Sequence, residues 1–311
     1  MTSTGNSLPV LDGAALDRLL PVGDAVEALR SALTGGLDVT ATPARTQVQL
    51  SAGHLLLMPG EYEAYAGVKV AGVAPGNPER GLPRITGTYL LLDAVSLQPL
   101  AVLDGPELTL RRTSAVSALA VDCLAEKDAD RLLLYGTGPQ AFAHATAIGH
   151  VREPAVVDVA GRRPEAVDAL VNQCRAAGLP ARAAGPEALE EAGIVACCTS
   201  AQEPLFDGRR LAPQATVVAM GSHTPTAREV DTATVTRSTV VVEDTATALR
   251  EAGDIVLPLE EGVLTEDQLL PLQDVVRGTR SATPDRPRLF KSVGMAWQDL
   301  TLAAQVHRAA S

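Results

Sequence analysis

The segment Leu132-Leu133-Leu134-Tyr135-Gly136-Thr137-Gly138-Pro139-Gln140-Ala141 restricts the fold more than any other stretch of the chain. An apolar strand runs directly into a G-x-G-x-x-A turn, and residues 142–148 then read as a helix. Gly136 permits the tight turn, Gly138 lets the backbone approach a pyrophosphate without a Cβ in the way, and Ala141 allows close packing of helix on sheet. Pro139 suits a helix start, where a missing N–H matters least. The first-turn amides and the positive helix end form an anion site, so Gly136, Thr137, Gly138, Pro139, Gln140 and Ala141 are candidate dinucleotide contacts. Glycines alone would also fit a plain strand-to-helix turn; the strand before them and the helix after them favour the nucleotide.

The residues downstream of the turn fit a Rossmann-type sheet. Short buried strands expected at 131–135, 155–159, 194–198, 216–220 and 239–243 alternate with helical patterns, which implies a doubly wound parallel sheet covered by helices on both faces. The preceding residues have a different period. A helix over 23–34 carries Ala25, Val26, Leu29 and Leu33 on one face and stops at Gly35-Gly36. Strands are then expected at 46–50, 55–58, 66–72, 85–93 and 99–103, separated by Gly and Pro turns, as in an antiparallel sheet. A helix over 108–125, with Val116, Leu119, Ala120, Cys123 and Leu124 at helical spacing, leads to a polar 126–130 segment, where the domain boundary is set. Residues 289–310 hold another apolar helix through Met295, Leu300, Leu302 and Val306, and two prolines make 283–288 the best linker.

Charge and composition narrow the function. The 311 residues carry a net charge of −11, which disfavours a nonspecific nucleic-acid or anionic-membrane surface. The start, MTSTGNSLPVLDG, has neither a cationic segment nor an apolar core, and no membrane-length apolar run occurs later in the chain, so a cytoplasmic protein is expected. Cys123, Cys174, Cys197 and Cys198 lack zinc-site spacing and sit in apolar settings, as structural thiols do; no histidine pair has metal-helix spacing, and no metal is expected. At the end of the second parallel strand, an NAD site usually offers a carboxylate to the ribose. Here Val159-Ala160-Gly161-Arg162-Arg163 offers two guanidiniums, which suit a 2′-phosphate. NADP(H) is favoured, with Asp158 keeping NAD(H) open.

Beyond the turn, the chain resembles the ornithine cyclodeaminase/mu-crystallin family over nearly its whole length. The matching segments include Leu57-Met58-Pro59, Gly67-Val68-Lys69-Val70, Pro75-Gly76-Asn77-Pro78, Gly81-Leu82-Pro83, LTLRRTSAVSALA over 108–120, GSHTPTAREVD over 221–231 and KSVGMAWQD over 291–299. The resemblance implies that the Rossmann domain, 126–288, is inserted into a sheet-rich α+β domain of 1–125 plus 289–311. It further implies that this second domain pairs across a homodimer and binds an amino- or imino-acid carboxylate opposite the nicotinamide. Arg45, Lys69 and Arg112 then become substrate contacts, and their chemistry suits a carboxylate clamp, with Lys69 also able to shuttle a proton. Arg111 fits either this clamp or a solvated surface. Thr199, Ser200, Gly221, Ser222, Ser292 and Gly294, at or near strand ends, are further cofactor candidates.

The sequence also departs from the family's cyclodeaminases, which carry a Glu where Leu56 stands and an Asp where His223 stands. Without those carboxylate bases, hydride transfer between NAD(P)H and a C=N bond beside a carboxylate remains, as in ketimine reductases and amino-acid dehydrogenases. His223 is a candidate proton donor, since its ordinary pKa lies near 6.5, and equally a loop cap or cofactor contact. Asp299 reads as a structural carboxylate. The alternatives are an NAD-dependent ornithine cyclodeaminase and a crystallin-like protein that holds NADPH without turnover.

Overall fold

Alternating apolar residues in the first part of the chain close into one mixed sheet. The computed structural model describes residues 8–310; the first seven residues of the amino-terminal stretch, and Ser311, lie outside the described residues. Strands β1 (Val10–Leu11), β2 (Thr46–Leu50), β3 (Gly53–Tyr62), β4 (Tyr65–Val73), β5 (Ile85–Asp93) and β6 (Pro99–Asp104) lie in the order β1-β6-β5-β4-β3-β2. Neighbours are antiparallel except for the parallel pair of β1 and β6. Helices α1 (Gly13–Leu19) and α2 (Val22–Thr34) precede β2, and α3 (Gly105–Leu124) comes directly after β6.

The rest of the chain alternates strand and helix. Strands β7 (Arg131–Tyr135), β8 (Val156–Ala160), β9 (Ala181–Ala183), β10 (Ile194–Cys197), β11 (Thr216–Ala219), β12 (Thr239–Val242), β13 (Leu269–Pro271) and β14 (Arg288–Lys291) form a second sheet. Between them run α4 (Pro139–Arg152), α5 (Pro164–Ala176), α6 (Ala188–Glu191), α7 (Thr232–Arg237), α8 (Thr245–Glu251), α9 (Gly253–Glu260) and α10 (Leu272–Val276), and α11 (Ala296–Ala310) comes after β14. The strand order is β13-β12-β14-β11-β10-β7-β8-β9, parallel throughout. Its strands are near-continuous apolar runs because both faces are covered: Leu132, Leu133, Leu134, Ile194, Val195, Val217, Val218, Val240 and Val241 are all buried. Each such side chain contributes about 1.5–3 kcal/mol on leaving water. Strand order reverses between β7 and β10, and a doubly wound sheet opens its ligand crevice at the carboxyl ends of the strands on either side of that reversal.

On the first sheet the period of two gives one inward face. Met58, Lys69, Tyr89 and Leu103 stand in one register row across β3, β4, β5 and β6, all buried, and α11 packs along β3, β4 and β5. Lys69 is the one charged side chain in this row.

The chain forms two compact units: the chain up to Ala32, Gly36–Arg112 and Met295 onward in one, Leu33–Gly35 and Thr113–Gly294 in the other. The divisions therefore fall inside α3 and after Gly294, rather than at 125/126 and 288/289. The polar 126–130 segment marks where α3 has ended, but the helix itself carries the chain across the division. Residue 288, expected in a linker, starts β14, and Leu289–Lys291 belong to the parallel sheet rather than to the first unit. A four-residue Arg-Leu-Phe-Lys strand has too few residues to show a period, and its two cations disguise its burial. Among the described residues no helix is long and apolar enough to cross a membrane, and no cluster of His, Cys, Asp and Glu has the arrangement of a metal site.

Candidate active site

In the parallel-sheet unit, β7 ends at Tyr135 and the chain turns at Gly136 with φ +114°. A Cβ there would stand 2.4 Å from the Cys198 carbonyl oxygen, beyond the neighbouring β10, so the position requires glycine. Gly138 caps the start of α4 without a side chain, and a Cβ added to it would meet nothing within 4 Å. The backbone at Gly138 thus faces open space at the positive end of α4, where Pro139 has no N–H and the Ala141 N–H already donates to the Gly138 carbonyl at 3.0 Å. These residues fit a diphosphate.

The loop after β8 runs beside this turn, since a Cβ on Gly161 would stand 2.7 Å from the Thr137 methyl. Arg162 and Arg163 on that loop are exposed, and among the described residues neither guanidinium has a hydrogen-bond or ion-pair partner. Asp158 lies within β8 rather than at its end. Its buried carboxylate is engaged by Arg182, at 2.6 Å, and by Arg131, at 3.8 Å, which makes it a carboxylate of the sheet.

Because all eight strands are parallel, every cofactor candidate falls at the same carboxyl edge: 136–141 after β7, Arg162 and Arg163 after β8, Thr199 and Ser200 after β10, Gly221 and Ser222 after β11, Ser292 and Gly294 after β14. His223 joins them, exposed, with Nδ1 3.3 Å from the Gly221 carbonyl oxygen. Several of these groups are already engaged within the protein. The Thr199 N–H and hydroxyl donate to Glu229 Oε1 at 2.9 and 2.7 Å, and the Gly221 N–H donates to Oε2 at 2.6 Å. The Ser292 hydroxyl and the Gly294 N–H donate to Glu243 at 2.9 Å each. The Ser222 hydroxyl donates to the Ala227 carbonyl, and its own carbonyl accepts from Lys291 Nζ at 2.6 Å. Lys291 in turn pairs with Asp254 at 2.8 Å.

Sequence reasoning did not single out Glu229, Glu243, Asp254 and Lys291, although they give the edge loops their shape. Burial pushes the Glu229 carboxyl up, against the pull of Lys291 and of the donated hydrogen bonds. The one available signal was Glu243 directly after the apolar run Val240-Val241-Val242. His144 was also missed. Fully buried, it lies 2.7 Å from the Gln140 carbonyl through Nδ1 and 2.9 Å from the Ser117 hydroxyl through Nε2, tying the start of α4 to α3. Burial lowers its pKa to about 4, so the ring is neutral at neutral pH.

The antiparallel-sheet unit gathers a second set. Lys69 Nζ lies 2.8 and 3.1 Å from the two oxygens of Asp299, on α11, and 3.2 Å from the Thr109 hydroxyl on α3. Arg112 donates through Nη1 to Gln298 at 3.1 Å and holds Nε 3.7 Å from Asp299. Lys69, Arg112, Gln298 and Asp299 are all buried, and Arg45 is close enough for its charge to act on Lys69. Burial lowers the Lys69 pKa to about 8; Asp299 opposes that shift, and Arg112 and Arg45 add to it. Two buried groups here, Arg112 Nε and the Tyr89 hydroxyl, have no hydrogen-bond partner among the described residues. Lys69 and Arg112 stand against the one carboxylate of Asp299, with Arg112 Nε making no hydrogen bond among the described residues, an arrangement whose chemistry suits an anion. Arg111 turns elsewhere, to the Leu20 carbonyl, Asp17 and Glu107. Leu56 pairs with Ala71, two register positions from the Met58–Lys69 pair, so no carboxylate base stands there.

Comparison with known proteins identifies the family. The model of the ornithine cyclodeaminase/mu-crystallin family matches residues 15–311. The chain is 35% identical to Delta(1)-pyrroline-2-carboxylate reductase 2 of Burkholderia ambifaria, over 83% of this chain and 82% of that one. It is 34% identical to the Delta(1)-pyrroline-2-carboxylate/Delta(1)-piperideine-2-carboxylate reductase of Azospirillum brasilense, over 94% and 93%. The structure of Thermococcus litoralis Delta(1)-pyrroline-2-carboxylate reductase in complex with NADH and L-proline superposes with a TM-score of 0.89, at 29% identity and over 97% of both chains. The chain belongs to the ornithine cyclodeaminase/mu-crystallin family.

Proposed function

We propose that this chain is an NAD(P)H-dependent reductase of small cyclic α-imino acids, of the Delta(1)-pyrroline-2-carboxylate type. The observation that carries the reading is the buried cluster of Lys69, Arg112 and Asp299, an anion site with a cationic surplus, in a chain that also carries a dinucleotide turn. The Burkholderia and Azospirillum relatives and the proline-bound Thermococcus neighbour supply the substrate class. Arg45, Lys69 and Arg112 hold the carboxylate and so fix the adjacent C=N carbon. When bound, the reduced nicotinamide supplies the hydride. The amine nitrogen then needs a proton, and Lys69, with its pKa near 8, is able to give one; His223 is the other candidate donor.

The loops at the carboxyl edge of the parallel sheet are proposed as the cofactor contacts, within a dinucleotide-binding unit that runs from Thr113 to Gly294. A preference for NADP(H) is supported by the unpartnered Arg162 and Arg163 beside the glycine turn and by the engagement of Asp158 within the sheet. We further propose a homodimer built on the outer face of the first sheet, where Leu55, Leu57, Val68, Val70 and Leu90 remain half-buried beside the exposed edge strand β2. Cyclodeamination is disfavoured by Leu56 and His223, neither of which is a carboxylate.

The test is oxidation of NADPH and of NADH by the purified protein with Delta(1)-pyrroline-2-carboxylate, Delta(1)-piperideine-2-carboxylate, and pyruvate plus methylamine. Turnover of the cyclic imines with NADPH preferred is expected. Proline and ammonia from ornithine, without imine reduction, would overturn the proposal, as would tight NADPH binding with no turnover on any substrate.

A further inference from the structure

We infer that Asp299 is a positioning residue that holds Lys69 and Arg112 side by side in a buried site and keeps the Lys69 ammonium charged for capture of the substrate carboxylate, an assignment that rests on the reductase reading. Three observations carry it. Asp299 is fully buried in the first turn of α11, and both of its oxygens lie on Lys69. It is the only acidic group among those described as acting on Lys69: Arg112 from α3 and Arg45 from the segment before β2 repel the ammonium, and Tyr89 from the adjacent β5 is held neutral by burial. Finally, Lys69, Arg112 and Asp299 together carry one net positive charge, the complement of one carboxylate.

The physical consequence is specific. Two like charges in a site of low dielectric favour loss of the more easily removed proton, which is that of lysine, because guanidinium keeps its own. Burial and the two arginines already draw Lys69 down to about 8, and Asp299 opposes them. Removing the Asp299 charge would leave Lys69 neutral at neutral pH, and the site would lose one charge of its clamp without losing a side chain that touches substrate. At a pH low enough to keep Lys69 charged, the same change would remove a repulsion between two carboxylates, so binding there would not weaken.

The experiment is calorimetric binding of pyrrole-2-carboxylate to the NADPH-loaded protein from about pH 6 to about pH 9.5, for the wild type, Asp299→Asn and Asp299→Glu, beside imine turnover at each pH. Wild-type affinity is expected to hold up to about pH 8 and to decline above it. With Asp299→Asn, affinity should stay within about threefold of wild type near pH 6, fall at least about tenfold below it near pH 8, and show a decline whose midpoint lies about a unit or more lower. Asp299→Glu should restore the wild-type midpoint. An unmoved midpoint, or a uniform loss at every pH, would overturn the inference. If Asp299→Asn does not fold, Lys69→Arg decides, since a guanidinium stays charged throughout: the alkaline decline must vanish, and its persistence would overturn the inference. A wild type that neither binds the probe nor reduces imines would sink the reductase reading itself, whereas a turning-over wild type with an unmoved midpoint sinks only the role of Asp299.

Discussion

In the proposed substrate site, Arg112 supplies direction as well as charge. One arm is fixed by Gln298 and Nε is held toward Asp299 without a hydrogen bond, so the guanidinium plane is set before any ligand arrives. Arg112→Ala is expected to lower kcat/KM for a cyclic imine by about a hundredfold or more, about 3 kcal/mol, from the loss of charge-assisted contacts. The Kd for NADPH should stay within about twofold; unchanged kcat/KM would remove Arg112 from the site. Replacing Arg162 and Arg163 together by Ala should raise the KM for NADPH about tenfold and leave that for NADH nearly unchanged, since only the former carries a 2′-phosphate. Equal changes would refute their phosphate role. The glycine turn was legible because its spacing has a chemical reason, whereas Lys69 and Arg112 stood out only through the family resemblance. Glu229, Glu243 and Asp254 were not, because a carboxylate in sequence reads as surface until its buried partners are known.

At the scale of elements, α4 is anchored to α3 by a neutral histidine, and this anchor depends on pH. His144 titrates near 4 in the folded chain against an ordinary value of 6.5. Its depressed folded pKa means that the unfolded chain takes up the proton first as pH falls. The neutral anchor is therefore intact above pH 6.5, and stability is lost as pH drops from there toward 4, by about 3 kcal/mol from this group. Urea denaturation across that interval should show the slope, and His144→Gln should flatten it by a similar amount; an unaltered slope would exclude His144 as its source. Elements themselves were readable where they were long or strictly patterned. The limits of β2, β5 and β7 coincide with those expected from alternation and from the apolar run before the glycine turn. β9, β13 and β14 were not foreseen: three or four residues cannot display a period, and each is a strand only because the growing parallel sheet offers it an edge or a gap to fill.

At the scale of the whole molecule, the proposed dimer makes β2 a revealing place to intervene. All five of its residues are exposed, with Val48 40% and Leu50 49% accessible, at the open edge of the sheet. Val48→Asp combined with Leu50→Asp should convert the dimer to a monomer in sedimentation velocity while leaving the circular dichroism spectrum unchanged. A dimer that survives both charges would place the interface elsewhere. The insertion of β14 between β11 and β12, and then the packing of α11 against β3, β4 and β5, also set the order in which the protein can be made. On the ribosome the first sheet emerges with its inner face uncovered and waits while all of Thr113–Gly294 is synthesised. The parallel sheet waits too, lacking a strand in its middle. Completion of each unit depends on contacts of long sequence separation that arrive late, so the nascent chain stays exposed to chaperones and to misassociation until α11 has left the exit tunnel.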